Sequence, residues 1–198
     1  MRRIILLFIL ASLLAACSLV QQPQTKPLPN SPTPTQTQTA MPQTVLQQKI
    51  NRFDGKAGLF AKKLSTGDTI EINADTIFPT ASTHKLVIAL AVYKYLYQDA
   101  DTTTKERYDK DIKQMMVVSD NAAFYRLLAE IENKQPDALN RVLSDLKLTH
   151  TRIHSREAFR QHGYHSVTTP REMATVMETI YREEYLGPQM SAILKEEL

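Results

Sequence analysis

Residues 81–97, ASTHKLVIALAVYKYLY, decide what kind of fold this 198-residue chain adopts. Residues 86–92 within that stretch are apolar without interruption, and with the flanking residues they are long enough for a helix. A helix that is apolar on all sides is usually buried in the centre of a domain. We therefore expect this helix to form the core against which the other elements pack.

Patterns on both sides of the buried helix predict two strands before it and several helices around it. Strand-like residues at 57–64 and 69–73 predict a hairpin with its turn at 65–68. Helical periodicity predicts further helices at about 46–53, 105–117, 121–131, 136–146 and 170–185. A lone hairpin is marginally stable in water, so strands that should pair with it are expected to be missing.

Local signals mark the start of the last helix and a long loop before it. Thr169 is placed as an N-cap, Pro170 occupies the first helical position, and Glu172 is positioned for a capping box. Residues 149–168 show neither helical nor strand periodicity, and loops of that length are commonly functional.

The start of the chain resembles the signal of a bacterial lipoprotein. Arg2 and Arg3 precede an apolar run that is too short for a membrane span of about 20 residues. Cys17, the single cysteine, directly follows Leu14-Ala15-Ala16, as in a lipobox. The resemblance implies that residues 1–16 are removed and that Cys17 is lipidated. An ordinary cleaved signal with an incidental cysteine is the alternative.

The composition and the charge of the chain after the signal segment indicate a tether and argue against a nucleic-acid partner. Residues 17–44 are rich in Gln, Thr and Pro, so they should stay disordered and hold a domain at 45–198 off a membrane surface. Loss of Arg2 and Arg3 would lower the formal charge from +3 to +1. A near-neutral domain has no electrostatic footprint for nucleic acid. We expect an exported monomer, lipid-anchored at the periplasmic or extracellular face of a bacterial membrane.

Ser82 and Lys85 form a candidate nucleophile and base. On a helix, residues three apart share a face, and a serine attacks only when a nearby base takes its proton. Burial and the positive end of a helix both disfavour a charged lysine, which suits Lys85 to that role. The Ser-x-x-Lys spacing alone is weak evidence for a catalytic pair, because Ser144 and Lys147 have the same spacing at an expected helix end.

Ser119-Asp120-Asn121 strengthens the assignment. All three residue types are favoured at helix N-caps, so a capping role is the simpler interpretation of the triplet. A given triplet is nevertheless rare by chance in a chain of this size. The triplet also follows the Ser82 helix and precedes the long loop.

Three segments in order resemble class A β-lactamases and penicillin-binding proteins. They are 78–85 (FPTASTHK), 118–123 (VSDNAA) and 168–174 (TTPREMA). The resemblance implies an α+β, β-lactamase/transpeptidase-like fold, with a helical subdomain beside a small antiparallel sheet. It also implies that Ser82 is acylated by a β-lactam or a peptidoglycan peptide, with Lys85 as base or proton relay. Ser119 would pass the proton onward, Asn121 would bind the substrate amide, and no cofactor is implied.

Two departures from the family pattern bear on activity. The nearest match to the Glu-x-x-Leu-Asn element of the omega loop is Glu157, followed by Arg160 and Gln161 in place of Leu and Asn. No Lys-Thr-Gly or Lys-Ser-Gly follows Asn121, so we expect an incomplete domain without its C-terminal strands. Three functions stay open: a β-lactamase, a D-Ala-D-Ala carboxypeptidase or other penicillin-binding cell-wall enzyme, and a non-catalytic remnant that binds cell-wall peptide.

The histidines of the long loop invite a metal interpretation that the sequence does not favour. His150, His154, His162 and His165 have no acidic or cysteine ligand at a recognisable spacing. We expect solvated loop histidines and no metal.

Overall fold

The computed structural model describes residues 40–198. The predicted signal segment, Cys17 and most of the predicted tether lie outside the described residues. The helices are α1 (Ala40–Asn51), α2 (Lys85–Tyr95), α3 (Thr102–Val117), α4 (Asn121–Lys134), α5 (Ala138–Asp145), α6 (Arg156–His162), α7 (Pro170–Tyr181) and α8 (Pro188–Glu196). The strands are β1 (Leu59–Lys62), β2 (Thr69–Ile72), β3 (Phe78–Pro79) and β4 (Val167–Thr168).

Helix α2 is the centre of the domain, as the apolar run predicts. Its residues 85–93 are all buried, and α3, α4 and α5 pack around it. The helical stretch begins as a separate 3₁₀ turn, Ala81–His84, rather than as α-helix. The reason is local: Ala81 has a left-handed φ of 46°, and the Thr80 carbonyl accepts hydrogen bonds from the amide and hydroxyl of Thr83.

The strands form two small antiparallel pairs. Strands β1 and β2 make the predicted hairpin, with Leu59 opposite Ile72 and Lys62 opposite Thr69, and both strands are shorter than their sequence patterns. The sequence did not predict the second pair, in which Phe78 and Pro79 of β3 lie opposite Thr168 and Val167 of β4. Two-residue strands are too short to produce a periodic signal.

Helices α1 and α7 support the hairpin. Gln43 donates a hydrogen bond of 3.1 Å to the Glu71 carbonyl, and Lys62 forms a 2.8 Å ion pair with Glu178 of α7. Helix α1 begins at Ala40. Residues 40–44, which the sequence analysis assigned to the tether, are therefore helical. It also ends at Asn51, so Phe53 lies beyond it and is exposed.

The long loop contains a short helix that the sequence analysis missed. Helix α6 begins after Ser155, whose hydroxyl accepts from the Ala158 amide, and ends at Gly163 with a φ of 79°. Both are ordinary cap signals, but seven residues are too few for the apolar periodicity on which the prediction relied. The prediction of one long loop over 149–168 was therefore wrong, because α6 and β4 lie within it.

The described residues thus form an α+β domain, with α3, α4 and α5 packed around α2 and two small antiparallel strand pairs. This is the predicted fold class. Between residues 40 and 198, no helix has both the length and the apolar character needed to cross a membrane.

Candidate active site

The four predicted site residues come together at the start of α2. Ser82 lies in the 3₁₀ turn, Lys85 is the first residue of α2, Ser119 precedes α4, and Asn121 is the first residue of α4. Ser119 Oγ donates to Ser82 Oγ at 3.0 Å, and Lys85 Nζ donates to Ser119 Oγ at 3.0 Å. A continuous chain of hydrogen bonds therefore joins Lys85 to Ser82 through Ser119.

Lys85 is held by three acceptors in a nearly dry position. It is 2% exposed, and its Nζ also donates to the Ser119 carbonyl at 2.6 Å and to Asn121 Oδ1 at 2.8 Å. Burial lowers the pKa of Lys85, and the nearby Asp120 carboxylate raises it to a smaller extent. A lysine with a lowered pKa reaches the neutral, proton-accepting form at a lower pH than a surface lysine does.

Lys85 also fixes the orientation of the Asn121 amide. Because an ammonium group only donates, the Asn121 atom that faces it must be the carbonyl oxygen. The Nδ2 group of Asn121 is then available to donate to an acceptor on a bound molecule. This geometry is compatible with the amide-binding role that the resemblance implies.

Asp120 is the N-cap of α4, which is the structural role that the sequence favoured for it. Its carboxylate accepts from the Ala123 amide at 3.0 Å, and this hydrogen bond is the main cause of its lowered pKa. The cap fixes the start of α4, and the two residues that flank Asp120, Ser119 and Asn121, both accept hydrogen bonds from Lys85.

Left-handed backbone conformations occur on both sides of the Ser82 hydroxyl. Ala81, directly before Ser82, has φ 46°, and Ser119 has φ 55°. Such conformations are unfavourable for residues with a Cβ and persist only where the surroundings impose them. At Ala81 the imposing neighbour is Thr80, whose amide and hydroxyl both donate to the Ser166 carbonyl, at 3.1 and 3.3 Å.

Glu157 does not reach this group of residues. It is exposed on α6, and its carboxylate accepts from Gln161 at 3.0 Å, one turn further along the same helix. The structure therefore does not bring Glu157 together with Ser82, Lys85, Ser119 and Asn121.

Glu172 is a buried carboxylate whose importance the sequence analysis missed. Thr169 does cap α7 by accepting from the Glu172 amide, but the Glu172 side chain does not complete the capping box. It instead accepts hydrogen bonds from residues 149–151. No signal in the sequence distinguished Glu172 from an ordinary capping Glu, because its burial and its hydrogen-bond donors depend on residues 149–151, about 20 positions earlier in the chain.

Two of the loop histidines, His154 and His165, lie next to other rings, while His150 contacts Glu172. The His165 ring stacks on Phe159 with centroids 4.5 Å apart, and it lies 6.1 Å from the ring of His154. Within residues 40–198 there is no group of three or more His, Cys, Asp or Glu side chains placed to share a metal ion.

An apolar groove of about 840 Å³ adjoins the 3₁₀ turn that contains Ser82. It lies between β1 and α7 and reaches Thr80 and Thr83, on either side of Ser82. The groove thus lies next to the candidate site, but Ser82, Lys85 and Ser119 do not line it.

Solved structures with the same fold belong to class A β-lactamases and to PBP-A. The structure of PBP-A matches with a TM-score of 0.63 and 23% identity, covering 78% of this chain and 66% of that one. An ancestral class A β-lactamase, of the last common ancestor of Gram-negative bacteria, matches with a TM-score of 0.64 and 23% identity, covering 79% and 70%. The β-lactamase from Streptomyces albus G matches with 0.64 and 20%, covering 79% and 70%.

The sequence profile of the Beta-lactamase enzyme family matches residues 41–113 and 104–198. The chain belongs to this family. It spans about two thirds of the length of the solved structures that it matches, from 66% to 70%. A comparison with curated protein sequences gives no significant match.

Proposed function

We propose that this protein is a class A β-lactamase-like serine hydrolase in which Ser82 forms an acyl-enzyme with a β-lactam. The observation that supports it best is the chain of hydrogen bonds from Lys85 through Ser119 to Ser82. This chain can move a proton away from the attacking oxygen without a metal or cofactor taking part in the transfer.

In the acylation step, Ser82 Oγ bonds to the β-lactam carbonyl carbon and the ring C–N bond breaks. The hydroxyls of Ser82 and Ser119 turn so that the Ser82 proton passes through Ser119 to the neutral amine of Lys85. The same route then returns the proton to the departing nitrogen. The backbone amide of Ser82 lies in the first turn of the 3₁₀ helix, where amides have no partner within the helix, so it can donate to the developing oxyanion.

Hydrolysis of the ester distinguishes the leading proposal from its nearest alternative. A water molecule must attack the acyl carbon, and a nearby base must take its proton. Glu157, the candidate for that base, is exposed and bonded to Gln161. This observation favours the second candidate, a D-Ala-D-Ala carboxypeptidase or other penicillin-binding cell-wall enzyme that retains the penicillin adduct. A structure of a PBP-A mutant in an acyl-enzyme complex with penicillin G is among the matches.

Time-resolved intact-mass spectrometry with benzylpenicillin tests acylation. The wild-type domain should gain the mass of one penicillin, and Ser82→Ala should gain none. Ser144→Ala is the matched control, because Ser144 has the same spacing to Lys147 and is exposed at the end of α5. An adduct that survives Ser82→Ala would refute the proposal.

The decay of the adduct and the turnover of nitrocefin then separate the candidates. Rapid loss of the adduct with nitrocefin hydrolysis supports a β-lactamase, whereas a persistent adduct without turnover supports the penicillin-binding enzyme. If circular dichroism shows that the protein is folded and no adduct forms, the result supports the third possibility, a non-catalytic remnant that binds cell-wall peptide.

A further inference from the structure

The carboxylate of Glu172 joins the loop after α5 to the first turn of α7. Glu172 is 8% exposed, although it lies in the first turn of a helix, where carboxylates normally face water. Its pKa is lowered by hydrogen bonds from Thr151 and His150, which outweigh the effect of burial. The charge is therefore kept in the folded protein because the surrounding donors satisfy it.

The donors come from three consecutive residues. Glu172 Oε2 accepts from the Thr151 amide at 2.7 Å and from the Thr151 hydroxyl at 2.5 Å. Glu172 Oε1 accepts from the His150 amide at 2.8 Å and contacts His150 Nδ1 at 3.0 Å and the Thr149 hydroxyl at 3.3 Å. Two backbone amides and a buried hydroxyl thus depend on one carboxylate.

The Thr151 hydroxyl extends this contact to β4. Its single proton is directed at Glu172, so its oxygen must accept from the hydroxyl of Thr168, 2.8 Å away. Both threonines are buried. The next residue, Arg152, pairs with Val167 through two backbone hydrogen bonds of 2.9 and 3.0 Å.

Strand β4 in turn holds the backbone that leads to Ser82. Thr168 and Val167 pair with Phe78 and Pro79 of β3, and Thr80 donates to the Ser166 carbonyl. Because Thr80 accepts the two hydrogen bonds from Thr83, its place determines the geometry of the 3₁₀ turn. The left-handed conformation of Ala81 therefore depends on the β3–β4 pairing and on the hydrogen bonds of Thr80.

We propose that Glu172 is a positioning residue for acylation, which acts through Thr151, Thr168 and the β3–β4 pair to fix the turn that presents Ser82. Its role in acylation rests on the proposed function, whereas the structural link from Glu172 to Thr80 does not. A carboxylate is required because each of its oxygens accepts from a backbone amide, which can only donate: Oε2 from Thr151 and Oε1 from His150. The amide of a glutamine offers one oxygen, and it would turn an NH₂ group towards at least one of those donors.

The first test replaces the charge without changing the size of the side chain. Glu172→Gln should lower the first-order acylation rate at saturating benzylpenicillin by about tenfold to a hundredfold, because a small displacement of a reacting atom costs up to about that factor. The penicillin concentration at half-saturation should stay near the wild-type value, since the binding groups are unchanged. Glu178→Gln, on the same helix and paired with Lys62 at the surface, is the matched control and should acylate normally.

A second pair of variants tests the Thr151 hydroxyl, which links Glu172 to β4. Thr151→Val lacks the hydroxyl and should reproduce the slow acylation of Glu172→Gln. Thr151→Ser keeps the hydroxyl and should restore the rate. If Thr151→Val and Glu172→Gln both acylate at the wild-type rate, the positioning role is wrong. Thr151→Val also keeps the proposal testable if Glu172→Gln does not fold, because it leaves the buried charge in place.

Amide hydrogen exchange separates a failure of this inference from a failure of the proposed function. A wild-type chain that binds no penicillin overturns the function, but the Thr80 amide can still be measured in the same proteins. Its exchange should be faster in Glu172→Gln and Thr151→Val than in wild type, with amides of α2 unchanged. Equal protection of Thr80 in all of them would overturn the structural link itself.

Discussion

The hydrogen bonds that stabilise the buried amine of Lys85 are also the ones that connect it to Ser82. A buried ammonium group is expensive unless its protons are hydrogen-bonded, and here three oxygens accept them. All three acceptors belong to Ser119 and Asn121, so the groups that make the burial tolerable also connect the amine to Ser82. The lowered pKa of Lys85 follows from the remaining desolvation.

Replacement of Lys85 by methionine should remove the base while keeping the volume of the side chain. We expect the acylation rate with benzylpenicillin to fall by about 10²–10⁴, the usual contribution of a positioned base. The melting temperature should stay close to that of wild type, because Ser119 and Asn121 are exposed and water can replace the lost donor. Intact-mass kinetics and a thermal melt measure the two quantities.

Lys147→Met is the control for this change, because it alters the same local motif at the end of α5. Its acylation rate should equal that of wild type. Equal rates for Lys85→Met and wild type would contradict the assignment of Lys85 as base.

At the scale of elements, the site depends on where two helices begin. The start of α2 supplies Lys85 and the start of α4 supplies Asn121, and Asp120 is the cap that fixes the second of these starts. Asp120 also acts on Lys85 through its charge, which raises the pKa of Lys85 against the effect of burial. Asp120, the cap of α4, and Lys85, the proposed base, are therefore electrostatically coupled.

Asp120→Asn should separate the capping role from the charge. An asparagine oxygen can still cap the Ala123 amide, so α4 should keep its start. Loss of the negative charge lowers the pKa of Lys85 further, and the neutral amine is the active form. The rising limb of the acylation rate against pH should therefore move to lower pH.

Asp137→Asn provides the comparison for this pH profile. Asp137 precedes α5, is exposed, and makes no capping hydrogen bond with its side chain. Its profile should superimpose on that of wild type. A limb that moves to higher pH in Asp120→Asn would show that Lys85 is not the titrating group.

Helix α2 should account for much of the stability of the domain. Leu90 is fully buried, and truncation of such a side chain to alanine typically costs about 2–5 kcal/mol through lost burial and the cavity left behind. Leu90→Ala should lower the free energy of unfolding by that amount in urea titrations. Met177→Ala, at an exposed position of α7, should change it by no more than about 0.5 kcal/mol. A loss below 1 kcal/mol for Leu90→Ala would show that α2 is not the core.

At the scale of the whole molecule, the sequence predicts a lipid-anchored tether before the domain. We propose that the protein is exported and held by a lipid on Cys17, at the periplasmic or extracellular face of a bacterial membrane. The proposal rests on the basic start, the short apolar run and the small residues before Cys17. It would place Ser82 in the compartment where β-lactams and peptidoglycan peptides are found.

Cys17→Ala should release the protein from the membrane. After expression in a bacterium and fractionation, the wild type should be in the detergent-soluble membrane fraction, and the variant should not. Ser18→Ala, which keeps the thiol, should behave as wild type. A wild-type protein whose mass shows an unmodified Cys17 would refute lipidation.

Features that depend on neighbouring residues were predictable from the sequence. The apolar run at 86–92 predicted a buried central helix, and Thr169 with Pro170 predicted the start of α7. The structure bears out each because burial on all sides and capping are decided within one or two turns of chain. The order of the three motifs added the family and the fold, which no single spacing could establish.

Features that depend on distant residues were decided only by the tertiary structure. Glu172 lies 21 residues from Thr151, and the sequence assigned it to its own helix start because nothing local revealed the facing donors. Ser82–Lys85 and Ser144–Lys147 are the same pattern along the chain. Packing alone buries Lys85 and supplies it with Ser119 and Asn121, while Lys147 stays in water, because hydrogen bonding and desolvation depend on which residues meet in space.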